Sequence, residues 1–107
     1  MSFEIDDGVL ERYHEETGVT EVVIPAGVES SGVEAFAHCR SLRSIVIPES
    51  VTRILDEAFF DCSSLRSIVI PEGVMSIGRG AFAYCSALER IELPESVTYV
   101  GDYAFYE

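Results

Sequence analysis

Between residues 19 and 107 the apolar positions recur every 23 residues. In Leu42 to Ser64 they are Leu42, Ile45, Ile47, Val51, Ile54, Ala58, Phe59 and Cys62. The next stretch repeats them as Leu65, Ile68, Ile70, Val74, Ile77, Ala81, Phe82 and Cys85. The one after runs Leu88, Ile91, Leu93, Val97, Val100, Ala104 and Phe105, and the looser first one is Val19, Val22, Ile24, Val28, Ser31, Ala35, Phe36 and Cys39. A sustained period of this length signals a solenoid, in which each coil buries its apolar side only against its neighbours.

The spacing within a unit predicts the coil. Ile45 and Ile47 are two apart and share one face of a strand, so Ser44 and Val46 face the other way. Pro48 has no N–H to give a ladder and marks the corner where the chain leaves that strand. The remaining residues leave little room for an α-helix. They predict a second short extended stretch near Val51 to Ile54 and a tight turn around Ala58 to Cys62. Each coil adds one strand to a parallel sheet, at about 4.8 Å per step.

Ahead of the first unit, Phe3 and Ile5 alternate with polar residues, Asp7-Gly8 is a hairpin turn, and Val9 to Tyr13 can return. This predicts a capping hairpin and loop over residues 1–18, with His14 to Gly18 as a polar loop, followed by four repeats over 19–107, the last incomplete. A comparable cap is not expected after the fourth unit.

The pattern Leu-x-x-Ile-x-Ile-Pro-x-x-Val-x-x-Ile-x-x-x-Ala-Phe-x-x-Cys resembles the BspA-like, treponemal-type leucine-rich repeat of 23 residues. The resemblance covers residues 19–107, and Phe3-x-Ile5-x-x-Gly8-x-Leu10-x-x-Tyr13 looks like the segment that precedes such repeats. It implies a β-rich solenoid, a right-handed coil with a parallel sheet and short non-helical returns. It also implies a role in adhesion or protein binding, often on bacterial surfaces and within longer chains. The chain departs from the pattern twice. Ser31 stands where Ile54, Ile77 and Val100 stand, which predicts a distorted first coil with Val33 as the substitute core residue. The last unit lacks its Cys and the following Leu.

Charge and composition narrow the partners. Nineteen acids against seven bases give a net charge of -12, opposed to nucleic acid and to anionic membrane surfaces. No stretch reaches the ~18 to 20 apolar residues of a membrane-spanning helix. Met1 to Asp7 has no signal-peptide pattern. Absent export signal and three free thiols favour the cytoplasm, whereas the family resemblance favours a bacterial surface.

Candidate chemistry is sparse. Cys39, Cys62 and Cys85 occupy one repeat position and read as small buried hydrophobes. A line of three is not the tetrahedral cage of a zinc site. His14 and His38 have no evident partners in triad order, and Gly78-Arg79-Gly80 lacks the lysine of a phosphate loop. No enzyme, metal or cofactor is expected.

Residues that do not recur are free to serve a partner. Val23, Val46 and Val69 should form an apolar stripe on the concave sheet face, with Arg43 and Arg66 beside it and Arg90 and Glu92 continuing the outward face. Such valines are either plain strand formers or a binding strip. Tyr99, Tyr103 and Tyr106 are either a lid on the last coil or a self-association surface giving a homodimer or an array. Phe60, opposite Ala37 and Ala83, is either exposed or wedged between coils. The reading is therefore a protein-binding scaffold engaging its partner on the concave face, with structural self-assembly through the last coil as the alternative.

Overall fold

The computed structural model describes residues 3–15 and 18–106. Its strands are β1 (Phe3–Asp6), β2 (Val9–Tyr13), β3 (Glu21–Val23), β4 (Ser30–Ser31), β5 (Ser44–Val46), β6 (Arg53–Ile54), β7 (Ser67–Val69), β8 (Ser76–Ile77) and β9 (Tyr99–Val100). They form two walls of a β-solenoid. One is a six-stranded sheet in the order β1-β2-β4-β6-β8-β9, the other a three-stranded sheet in the order β3-β5-β7. All pairings except β1 with β2 are parallel; the first three coils each give one strand to both walls, and the fourth gives one to the larger sheet.

The 23-residue period is also the register. Ser44, Ile45 and Val46 pair with Ser67, Ile68 and Val69, and Ile54 pairs with Ile77. Identical residues therefore stack, and Ile45, Ile47, Val51, Ile54 and their equivalents one coil on are buried. The prolines mark the corners as expected. In every coil the valine three residues later donates its N–H to the proline carbonyl, from Val28 to Pro25 at 3.4 Å to Val97 to Pro94 at 3.2 Å.

A third wall carries no strand assignment but is as regular as the sheets. Each coil turns through two residues with left-handed backbone: Glu34 and His38, then Glu57 and Asp61, then Gly80 and Tyr84. The N–H groups of Glu34, Phe36 and His38 donate to the carbonyls of Asp56, Ala58 and Phe60 in the next coil, at 3.1, 2.7 and 2.8 Å. The next step repeats this from Glu57, Phe59 and Asp61 to Arg79, Ala81 and Ala83. The backbone polar groups of the turn are thus satisfied by its neighbours, which offsets the cost of placing β-carbons at positive φ.

Inside this wall the phenylalanines stack. Phe36, Phe59, Phe82 and Phe105 lie face to face at centroid distances of 5.2, 5.1 and 5.5 Å. The hairpin continues the column, with Tyr13 stacked on Phe36 at 5.2 Å and Phe3 against Tyr13 at 5.3 Å. It turns at Asp7 and Gly8, both at positive φ as its Asp-Gly signature requires. Strand β2 pairs with β4, so the hairpin takes the place of a preceding coil.

Two expectations change here. The first coil is not distorted at Ser31. Ser31 sits in register between Leu10 and Ile54 and is buried like its isoleucine counterparts, while Val33 points outward and is 58% exposed. The ladder fixes which residue faces inward, so Val33 cannot exchange with it. A Cβ at Gly32 would lie 2.6 Å from the Leu10 carbonyl oxygen, so glycine lets the hairpin seat directly on this coil. The Ser31 hydroxyl is left buried without a partner. The second change is in the fourth coil, where Arg90 to Glu92 does not pair with β7. Arg90 and Glu92 instead pair with each other at 2.7 Å on the exposed surface. The polar loop expected over His14 to Gly18 lies partly outside the described residues.

Candidate functional site

Two outer surfaces carry side chains that the core does not use. The first is the outer face of the three-stranded sheet. Strand alternation buries Val22, Ile45 and Ile68 and turns Val23, Val46 and Val69 outward. The three valines pair in register and are 64, 55 and 77% exposed. Arg43 and Arg66 are exposed at the entry to β5 and β7. Because the fourth coil does not join this sheet, a cleft of about 550 Å³ opens beside β7. Arg66, Val69, Arg90 and Glu92 line it, together with Glu72 and Glu89. The face thus brings Val23, Arg43, Val46, Arg66 and Val69 onto one sheet. It moves Arg90 and Glu92 from the sheet to the far side of that cleft.

The second surface is the outside of the turn wall. Here aromatic side chains alternate between two adjacent positions. Coil by coil, the pairs are Ala37-His38, Phe60-Asp61 and Ala83-Tyr84, followed by Tyr106. The large member changes side at each step, so neighbouring rings meet edge to face. His38 to Phe60, Phe60 to Tyr84 and Tyr84 to Tyr106 have centroids 5.6, 5.4 and 5.6 Å apart at 83, 81 and 83°. Tyr103 closes on Tyr106 in the same way at 5.8 Å, and the Arg79 guanidinium lies 5.8 Å from the Tyr103 centroid. Phe60 is half-buried in this row. Tyr99 is elsewhere, on β9 opposite Ser76, so the three tyrosines do not form one cluster.

A cleft of about 360 Å³ indents this row, lined by Glu57, Phe60, Arg79, Tyr84, Tyr103 and Tyr106. Its floor is Gly80 and Ala83, the small residues of the third coil. Burial raises the Glu57 carboxyl above its ordinary value, helped by a hydrogen bond with Glu34 and by that residue's charge. The sequence held a sign of this row in the alternation of small and large pairs, but their spacings of 22, 24 and 22 fall off the 23-residue phase.

The remaining candidates serve the scaffold. Cys62 and Cys85 donate from sulfur to the carbonyls of Phe36 and Phe59 at 3.2 and 3.1 Å. The hydrogen bond with Cys85 and burial push the Cys62 thiol up, and burial pushes Cys39 up to about 12. Cys39 and Cys62, held protonated in this way, are poor nucleophiles, while the same contact with Cys62 lowers the Cys85 thiol. His38 is not unpartnered. Its Nδ1 lies 2.8 Å from an Asp61 carboxylate oxygen that also accepts from Arg40 at 2.7 Å. Arg40 and then His38 hold the Asp61 carboxyl below its usual range. Among the described residues no group of three or more His, Cys, Asp or Glu is placed to hold a metal, and no helix is long and apolar enough to cross a membrane.

Comparison with known proteins agrees with this architecture. The BspA type leucine rich repeat region matches residues 10–107 with six copies. The chain superposes on a leucine-rich repeat protein of Treponema pallidum with a TM-score of 0.82 at 29% identity, over 94% of this chain and 50% of the other. It superposes on one from Bacteroides ovatus at 0.76 and 33% identity, over 97% and 36%. A leucine rich cell surface protein from Faecalibacterium prausnitzii gives 0.79 at 30%, over 95% and 31%. The chain thus spans half the length of the first of these structures and about a third of the others. No curated protein matches it. With nearly its whole length covered by the repeat, and its coils superposing on theirs, the chain belongs to the BspA-type leucine-rich repeat family.

Proposed function

We propose that this chain is a protein-interaction scaffold whose partner lies along the outer face of the three-stranded sheet. The observation that carries this reading is the row Val23, Val46 and Val69, which is in register and more than half exposed on a face with no packing duty in the coil. A solenoid holds such a row rigid, so little ordering entropy is lost when a partner seats on it. The cleft beside β7 extends the row with Arg66, Arg90, Glu72, Glu89 and Glu92, which can orient polar groups at its margin. The repeat family supports a scaffold rather than a catalyst, and the cell-surface relative supports a cell-surface setting.

The test is Val46→Glu with Val69→Glu. Both side chains point to solvent, so the variant keeps the wild-type circular dichroism and denaturation midpoint. Peptides selected from a displayed library on the wild-type protein lose binding to it. Binders indifferent to the double substitution would contradict the assignment.

A second reading is favoured by Tyr103 and Tyr106, which are exposed and adjacent on the last coil. Self-association through them would appear as a concentration-dependent dimer in light scattering that Tyr103→Lys/Tyr106→Lys abolishes.

A further inference from the structure

We propose that the cleft on the turn wall binds a quaternary ammonium group, by its chemistry a choline-like or trimethyl-lysine-like cation. The cleft exists because one coil is small where its neighbours are large. Glu34, Glu57, Gly80 and Tyr103 occupy one left-handed position in successive coils, and Gly80 alone has no side chain. Ala37, Phe60, Ala83 and Tyr106 occupy a second position, where Ala83 leaves the space between the rings to Tyr84, 5.4 Å from Phe60 and 5.6 Å from Tyr106. Glu57 leans over Gly80, its Cγ 3.3 Å from where a β-carbon would stand, and Tyr103 lines the other side of the indentation. The indentation, about 360 Å³ and open to solvent, is lined also by Phe60, Tyr84 and Tyr106.

The lining selects the ligand class. Ring faces carry negative quadrupole potential and attract cations, most strongly when the cation is weakly hydrated. A quaternary ammonium meets that condition, because it has no N–H to satisfy and its methyl groups pack against rings. A primary ammonium is strongly hydrated and would leave donors unpaired there. Glu57 brings a carboxyl to that end of the cleft, with Glu34 and Asp56 near it and a single Arg79 opposing them. Arg79 itself shows that the Tyr103 face accepts a cation, since its guanidinium lies over that ring. It has no ion-pair partner among the described residues, so an incoming ligand can take its place.

The experiment is an NMR titration of the Tyr103 and Tyr106 ring protons with choline, N-trimethyl-lysine amide, phosphocholine and 3,3-dimethylbutanol, the uncharged isostere of choline. Saturable shifts with choline in the millimolar range are expected, about tenfold weaker or absent with the isostere. The tighter of the three charged probes identifies the source of the group. Gly80→Gln puts a side chain on a backbone that Glu34 and Glu57 already adopt, and its β-carbon, 3.3 Å from Glu57 Cγ, makes that flexible side chain give by a few tenths of an ångström. It should keep the fold and abolish the shifts. Arg79→Gln removes the resident competitor and should tighten choline severalfold. Equal response to choline and its isostere, or undiminished binding in Gly80→Gln, overturns the proposal. No saturable shift overturns it too. So does a ligand-free, concentration-dependent shift of these tyrosines, which would assign the cleft to a second copy of the chain.

Discussion

Two aromatic columns run side by side up the turn wall, and they are built oppositely. The inner one places phenylalanine at one position in every coil, and Phe36, Phe59 and Phe82 stack nearly parallel, at 15 and 7°. The outer one shifts its large residue between two positions, and His38, Phe60, Tyr84 and Tyr106 meet almost at right angles. Strict recurrence gives a gap-free column that suits a core, where every void is costly. Alternation gives edges and vacancies, which suit a surface that must present a shape. On the turn wall the buried column keeps the phase and the outer row breaks it, whereas the exposed valines of the three-stranded sheet keep the phase as strictly as the core does.

The contrast is broken most severely by Phe59→Ala. Removing a fully buried ring with stacked neighbours on both sides should cost about 3–5 kcal/mol in chemical denaturation. The next effect has the opposite sign. Ser31→Val replaces an unpartnered buried hydroxyl with an aliphatic group at a position that holds isoleucine in the next two coils. A gain of about 1–2 kcal/mol is expected. A loss would mean that Leu10 leaves no room there. Phe60→Ala, next to Phe59 in sequence but in the outer column, should cost about 1 kcal/mol, because its ring is only half-buried.

The smallest effect is pH-dependent. Asp61 has its carboxyl lowered by Arg40 and His38, so it stabilises the fold above its unfolded value near 3.8 and ceases to as pH falls through the lowered one. Asp61→Asn keeps a residue tolerant of the left-handed backbone. The stability gap between wild type and variant should be full at neutral pH and close below about pH 4 in paired denaturation curves. A gap that persists in acid would show that the carboxylate charge plays no part.

What the sequence made legible follows the same division. The strands at Ser44 to Val46 and Arg53 to Ile54, the turn after Ala58 and the hairpin at Asp7-Gly8 all rest on in-phase or local signals, and the structure has them. The outward valines followed from strand alternation alone. Three features were hidden. Ser31 stays in the core because its neighbours' hydrogen bonds hold the register, which one residue's polarity does not reveal. Arg90 to Glu92 does not join the sheet although Ile91 and Leu93 keep the phase, a departure that periodicity does not reveal. The turn-wall cleft depends on Gly80 and Ala83 meeting large residues one coil away on each side, a relation between units rather than within one.

The central functional claim is that a partner seats on the outer face of the three-stranded sheet. Amide hydrogen exchange tests it most directly, with and without a peptide selected on the intact protein. The account predicts added protection at Ser44 to Val46, Ser67 to Val69 and the cleft margin from Glu89 to Glu92, with the turn wall unchanged. Protection confined to Phe60, Tyr84 and Tyr103 to Tyr106 would contradict it and move recognition to the opposite wall.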